Sequence, residues 1–127
     1  MPQSNGLKVL VVEDEAIVAM DLADMLADWG HSVVGPANRA AAGRKLAATQ
    51  EIDFAILDVN LGGGETSQQI AQTLRERAIP FVFLSAYSAS SIEYRIDETV
   101  MNKPLIPHVL ENHLNQQLAA RGVAHGE

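Results

Sequence analysis

The sequence predicts an α/β fold, a five-stranded parallel sheet with helices on both faces. Two observations carry this reading. Five short apolar runs alternate with segments in which apolar residues recur at helical spacing. The runs are also continuous, as strands buried on both faces should be, instead of alternating apolar with polar.

The elements follow in order. Residues 7–12 form the first apolar run and end in Glu13-Asp14-Glu15. Val18, Leu22, Met25, Leu26 and Trp29 then share one face of a helix, and Gly30 supplies its stop. Residues 32–35 make a second strand closed by Pro36, and Asn38 is placed to cap an alanine-rich helix reaching Leu46 to Ala48. Residues 54–57 form the third strand, ending at Asp58, and the turn Gly62-Gly63-Gly64 follows. Thr66 with Gln69 has the spacing of a capping box before a helix whose apolar face carries Ile70 and Leu74. Residues 81–84 are the fourth strand, ending at Ser85, and residues 88–98 read as a weak helix through Ile92 and Ile96. Residues 99–101 form a short fifth strand before Lys103-Pro104. The fifth and last helix is expected to start at Pro107 and to bury Leu110, Leu114 and Leu118.

A length of 127 residues suits one domain, expected over residues 7–120 with flexible ends at 1–6 and 121–127. The hydrophobic fraction of 47% is that of a globular chain. No apolar run approaches the roughly 20 residues that span a bilayer, and residues 1–6 lack the basic start and apolar core of a signal peptide. The expected location is therefore the cytoplasm. The net charge of −7 argues against direct nucleic-acid binding, which needs clustered Lys and Arg. With no cysteine, disulfides and thiolate metal sites are excluded.

In open parallel sheets, ligands bind beyond the carboxyl ends of the strands. The polar residues just past the apolar runs are Glu13 and Asp14, then Asp58, Ser85 and Lys103. Each alone has an ordinary explanation: a turn former, a helix cap, a solvated surface lysine. Together, at the strand ends of one consistent pattern, they bring carboxylates, a hydroxyl and an ammonium to one small region. Clustered carboxylates repel, and a hard divalent cation such as Mg2+ relieves this while bridging to phosphate oxygens. A carboxylate can attack a phosphoryl group to form an acyl phosphate, and the transferred group needs charge stabilisation more than covalent help.

The segments Val11-Val12-Glu13-Asp14-Glu15, Leu57-Asp58-Val59-Asn60-Leu61, Leu84-Ser85-Ala86 and Asn102-Lys103-Pro104 resemble the four motifs of the response-regulator receiver family, in the family's order. The resemblance covers about residues 7–120. It implies the flavodoxin-like (CheY-like) topology, strand order 2-1-3-4-5 with five helices. It implies Asp58 as phosphoacceptor and Asp14 as a direct magnesium ligand, with Glu13 acting directly or through water. The backbone carbonyl of Asn60 would be a further ligand, and Mn2+ could stand in for Mg2+. Ser85 matches the hydroxyl that bonds the phosphoryl group and reorients on activation. Lys103 matches the lysine that pairs with a phosphoryl oxygen, and the Lys103–Pro104 peptide is expected to be cis. The implied function is that of a stand-alone bacterial response regulator. It would be phosphorylated by a sensor histidine kinase or histidine phosphotransfer protein and signal by protein contact or phosphoryl relay, with no catalytic turnover beyond its own phosphorylation and dephosphorylation.

The sequence departs from the common receiver pattern in two places. The aromatic usually found on strand five, three positions before the lysine, is replaced by Val100. Phe83-Leu84-Ser85-Ala86-Tyr87 instead resembles a subgroup of mostly single-domain receivers with Phe-Ala-Thr-Gly-aromatic on strand four, which makes Tyr87 the candidate switch. The glycines after Leu61 also resemble that subgroup.

Two other functions compete. A phosphatase with an aspartyl-phosphate intermediate usually carries a second Asp two positions after its nucleophile, where this chain has Asn60. A flavin-binding protein would need a hydroxyl- and glycine-rich phosphate loop after strand one, where Glu13-Asp14-Glu15 would repel phosphate. His31, His108, His113 and His125 match no ligand spacing.

Overall fold

The computed structural model describes residues 6–86 and 92–124, the last four by backbone alone. Its elements run β1 (Lys8–Val12), α1 (Ala16–Asp28), β2 (Ser32–Ala37), α2 (Ala40–Thr49), β3 (Phe54–Asp58), α3 (Gln68–Glu76), β4 (Phe81–Ser85), β5 (Val100–Asn102) and α4 (Pro107–Ala124). All strand pairs are parallel and the sheet order is β2-β1-β3-β4-β5. This is the expected doubly wound topology.

Successive side chains of a strand point to opposite faces, so each central strand feeds two cores. Leu10, Val12, Ala55, Leu57, Phe81 and Phe83 pack under α2 and α3 against Ala47, Ile70, Ala71 and Leu74. Val9, Val11, Phe54, Ile56, Val82 and Leu84 pack under α1 and α4 against Leu22, Leu26, Leu110 and Leu114. Every residue of β3 and β4 is buried, as their unbroken apolar runs required. Fully burying each Leu, Ile or Phe is worth roughly 1.5–3 kcal/mol, so the two cores hold the strands in one register. At Gly43 on α2 a Cβ would meet the Ile70 Cδ1 at 2.6 Å; glycine there allows α2 to lie close against α3.

Local structure departs from the sequence expectations at several points. β2 runs past Pro36 to Ala37 with an irregularity in its pairing to β1, because an edge strand tolerates a residue without an N–H. α2 starts after Arg39, not Asn38, with no side-chain cap. The Thr66–Gln69 capping box does not form: Ser67 is the N-cap of α3, and Thr66 only accepts a 3.3 Å hydrogen bond from the Gln68 amide. The described residues contain four α-helices, not five. Of the expected helix over 88–98, residues 88–91 lie outside the described residues, and 92–98 form turns and bends. Among the described residues, the local backbone–backbone bond in that stretch is from Arg95 N to Ile92 O at 3.3 Å, and side-chain contacts anchor it to α3, to the loop after β3 and to β4.

Candidate functional site

The parallel register lines up the strand ends. Val12 pairs with Leu57, Asp58 with Leu84, and Ser85 with Asn102. Glu13, Asp58, Ser85 and Lys103 therefore arrive at one edge of the sheet.

Carboxylate oxygens of Glu13, Asp14 and Asp58 lie within 4.8 Å of one another. Glu13 and Asp58 are only 1% and 4% exposed, while Asp14 is half-buried at the rim. Lys103 Nζ lies 3.2 Å from Asp58 Oδ2, 3.2 Å from Glu15 Oε1 and 3.4 Å from Glu13 Oε1. Glu13 Oε2 accepts the Glu15 amide at 3.0 Å, but Glu13 Oε1 is buried and accepts no hydrogen bond. A buried carboxylate oxygen that has an ammonium at 3.4 Å but no hydrogen bond is costly unless something else binds it.

Burial, then a hydrogen bond with Asp14 and the charge of Glu13, push the Asp58 carboxyl from 3.8 up to about 8. For Lys103, burial works against the charged form. The charges of Asp58 and Glu13 outweigh it and raise the ammonium to about 12. One cation thus faces an excess of anionic groups. The donor set is all oxygen, crowded and under-neutralised, which suits a hard divalent ion.

Ser85 is buried at the end of β4, and its carbonyl accepts the Lys103 amide at 2.8 Å. It lines a cavity of about 240 Å³ together with Val59, Asn60, Ile92 and Tyr94. Asn60 is exposed on the loop after β3 and bridges to Thr66, while the glycine turn, each residue at positive φ, folds the loop back beneath Asp14. A Cβ at Gly62 would stand 3.3 Å from Asp14 Oδ2. The Lys103–Pro104 peptide is cis. Tyr87, the candidate switch, lies outside the described residues.

Sequence reasoning singled out the acidic cluster and its lysine but missed two contributors. Glu15 shares Lys103, and Tyr94 sends its hydroxyl to the Val59 carbonyl at 3.0 Å. Glu15 was visible as the third member of the acidic run. Tyr94 carried no local signal, since its partner lies 35 residues earlier.

A model of the response regulator receiver domain matches residues 9–116. The chain belongs to that family. Over 88 residues this receiver is 33% identical to the transcriptional regulatory protein PdtaR of Mycobacterium tuberculosis, an alignment covering 69% of this chain and 43% of PdtaR. The chain spans less than half the length of the curated relatives it matches. The solution structure of SdrG from Sphingomonas melonis Fr1 is 36% identical with a TM-score of 0.76, over 92% of this chain and 99% of that one. The receiver domain of sensor histidine kinase PA1611 from Pseudomonas aeruginosa PAO1 shares the fold at 19% identity and a TM-score of 0.77, over 90% of this chain and 98% of that one; it holds a magnesium ion in its active site cleft. The family is that of response-regulator receivers, and the curated relatives PdtaR and PhyR are named as regulators. No helix among the described residues is long and apolar enough to cross a membrane.

Proposed function

We propose that this receiver accepts a phosphoryl group on Asp58 from the phosphohistidine of a sensor kinase or histidine phosphotransfer protein, and passes its state on by protein contact or phosphoryl relay. The observation that carries the reading is the set of three carboxylates within 4.8 Å of one another, with Lys103 3.2 Å from Asp58. An Asp58 carboxylate oxygen attacks the phosphorus as the bond to the imidazole nitrogen breaks. The imidazole leaves with that electron pair, and the product is an acyl phosphate on Asp58.

Glu13, Asp14, Asp58 and the Asn60 carbonyl are the oxygen donors for Mg2+, or Mn2+ in its place. The bound ion supplies charge neutralisation to the acidic cluster and to the incoming phosphoryl oxygens. PA1611, of the same fold, carries magnesium in its cleft, and the unbonded Glu13 Oε1 is the atom here that such an ion would satisfy. Lys103 keeps its proton, being raised to about 12, and is in reach to pair with a phosphoryl oxygen. Ser85, at the neighbouring strand end, is the hydroxyl that would donate to another, and Tyr87 two residues on would report its movement.

The test is phosphorylation by acetyl phosphate with magnesium and with a chelator. Phosphoprotein should accumulate only with the metal, and Lys103→Ala should slow it by roughly tenfold or more, the scale of one charge-assisted hydrogen bond. Equal rates in chelated protein would remove the metal from the account.

A further inference from the structure

Residues 92–98 form a strap beside β4 that a side-chain network holds down. From α3, Arg75 donates from Nε and Nη2 to the Glu98 carboxylate at 2.9 Å each, and from Nη2 to the Tyr94 carbonyl at 2.8 Å. The Tyr94 ring meets Phe83 edge-on at 5.5 Å between centroids. Its hydroxyl lies 3.0 Å from the Val59 carbonyl oxygen and 3.0 Å from Ser67 Oγ. A phenol has one proton to give, and a carbonyl can only accept. Tyr94 therefore donates to Val59, and Ser67 donates to Tyr94.

Val59 follows Asp58 directly, and its carbonyl belongs to the peptide leading to Asn60. That carbonyl also accepts the Ser67 amide at 3.1 Å. The peptide next to the acceptor is thus clamped by two donors from different elements, the start of α3 and the strap. Val100, which stands where receivers commonly carry an aromatic, packs with Tyr94 against the cluster containing Phe83. Among the described residues, the strap supplies Phe83 with an edge-on aromatic partner where β5 offers only Val100.

We propose that Tyr94 is a positioning residue for the acceptor site: its hydroxyl fixes the Val59–Asn60 peptide and couples the acceptor loop to the strap at 92–98. The inference rests on the reading of Asp58 as phosphoacceptor. With the hydroxyl bonded to the peptide next to the acceptor, filling the acceptor site is expected to change the surroundings of Tyr94.

The test compares wild type, Tyr94→Phe and Ser67→Ala. Tyr94→Phe keeps the ring on Phe83 and removes the donor to Val59; Ser67→Ala removes only the phenol's other partner. With magnesium and acetyl phosphate, Tyr94→Phe should be phosphorylated roughly two- to tenfold more slowly, the range of one net hydrogen bond, while Ser67→Ala stays within about twofold of wild type. The chain has two tyrosines, so 3-fluorotyrosine gives two fluorine signals, assigned with Tyr87→Phe. The Tyr94 signal should move when wild type gains the phosphoryl mass. A stationary signal in phosphorylated protein, or equal rates for the two variants, would overturn the proposal. Should wild type take up no phosphoryl group, the acceptor reading fails by itself. Magnesium titration then decides the matter for Tyr94: a shifting signal supports the coupling and a fixed one refutes it.

Discussion

Burial strips water from the Asp58 carboxyl while Asp14 and Glu13 crowd it, and together they raise it from 3.8 to about 8. The folded, metal-free chain therefore holds a proton there that the unfolded chain gives up near 3.8. A raised carboxyl contributes stability that is fully present below the unfolded value and is lost as pH rises through the folded one. Chelated protein should accordingly lose thermal stability between about pH 4 and 8 from this group, and Asp58→Asn should lose less over the same window. Thermal unfolding of both proteins at several pH values measures this directly. The same proton competes with the metal, because a ligating carboxylate must be ionised. Magnesium affinity should rise with pH, by at most roughly tenfold per unit, and level off above about pH 8. Titration calorimetry at pH 6, 7 and 8 would show it, and an affinity independent of pH would mean that Asp58 is already ionised or is not a ligand.

α3 illustrates how a terminus can be set by geometry against residue preference. Its end closes with the Ile79 amide on the Leu74 carbonyl at 2.9 Å and the Ala78 amide on the Arg75 carbonyl at 3.0 Å. That arrangement puts Ala78 at φ 58, where glycine is usual. α1 closes in the same way, but with Gly30 in that role, at φ 90. The left-handed conformation costs an L-residue roughly 1–2 kcal/mol. Glycine's extra freedom in the unfolded chain takes back roughly 0.4–1 kcal/mol. Ala78 is exposed and loses no packing, so Ala78→Gly should stabilise the protein by about 0.5–1 kcal/mol. Urea denaturation would register this as a higher midpoint at unchanged slope. Gly30 was legible as a helix stop because its residue type announces it, whereas nothing about Ala78 does. The capping pair Thr66 and Gln69 failed for the converse reason: the local pattern matched, but the α3 start is fixed by Ser67, buried against the β3 loop.

At the scale of the whole chain, the sheet and most of the site were readable because both follow from the same apolar runs. Where a run buried on both faces ends, the next side chain must lie at the sheet's edge, so Glu13, Asp58, Ser85 and Lys103 were placed once the strands were. Distances within the cluster, and the Glu13 Oε1 left without a hydrogen bond, were not readable, since they depend on how neighbouring strands are staggered. The strap at 92–98 was misread as helix because its anchors lie far away in sequence. Arg75 reaches it across 19 and 23 residues, and Tyr94 reaches back 35 to Val59. The role proposed for this assembly is to take a phosphoryl group on Asp58. Its most direct test is peptide mass mapping of wild type and Asp58→Asn after incubation with acetyl phosphate and magnesium. A gain of roughly 80 Da, one phosphoryl group, is expected on the wild-type peptide containing Asp58, and none in the near-isosteric variant. The same gain persisting in Asp58→Asn, or appearing on a different peptide, would contradict it.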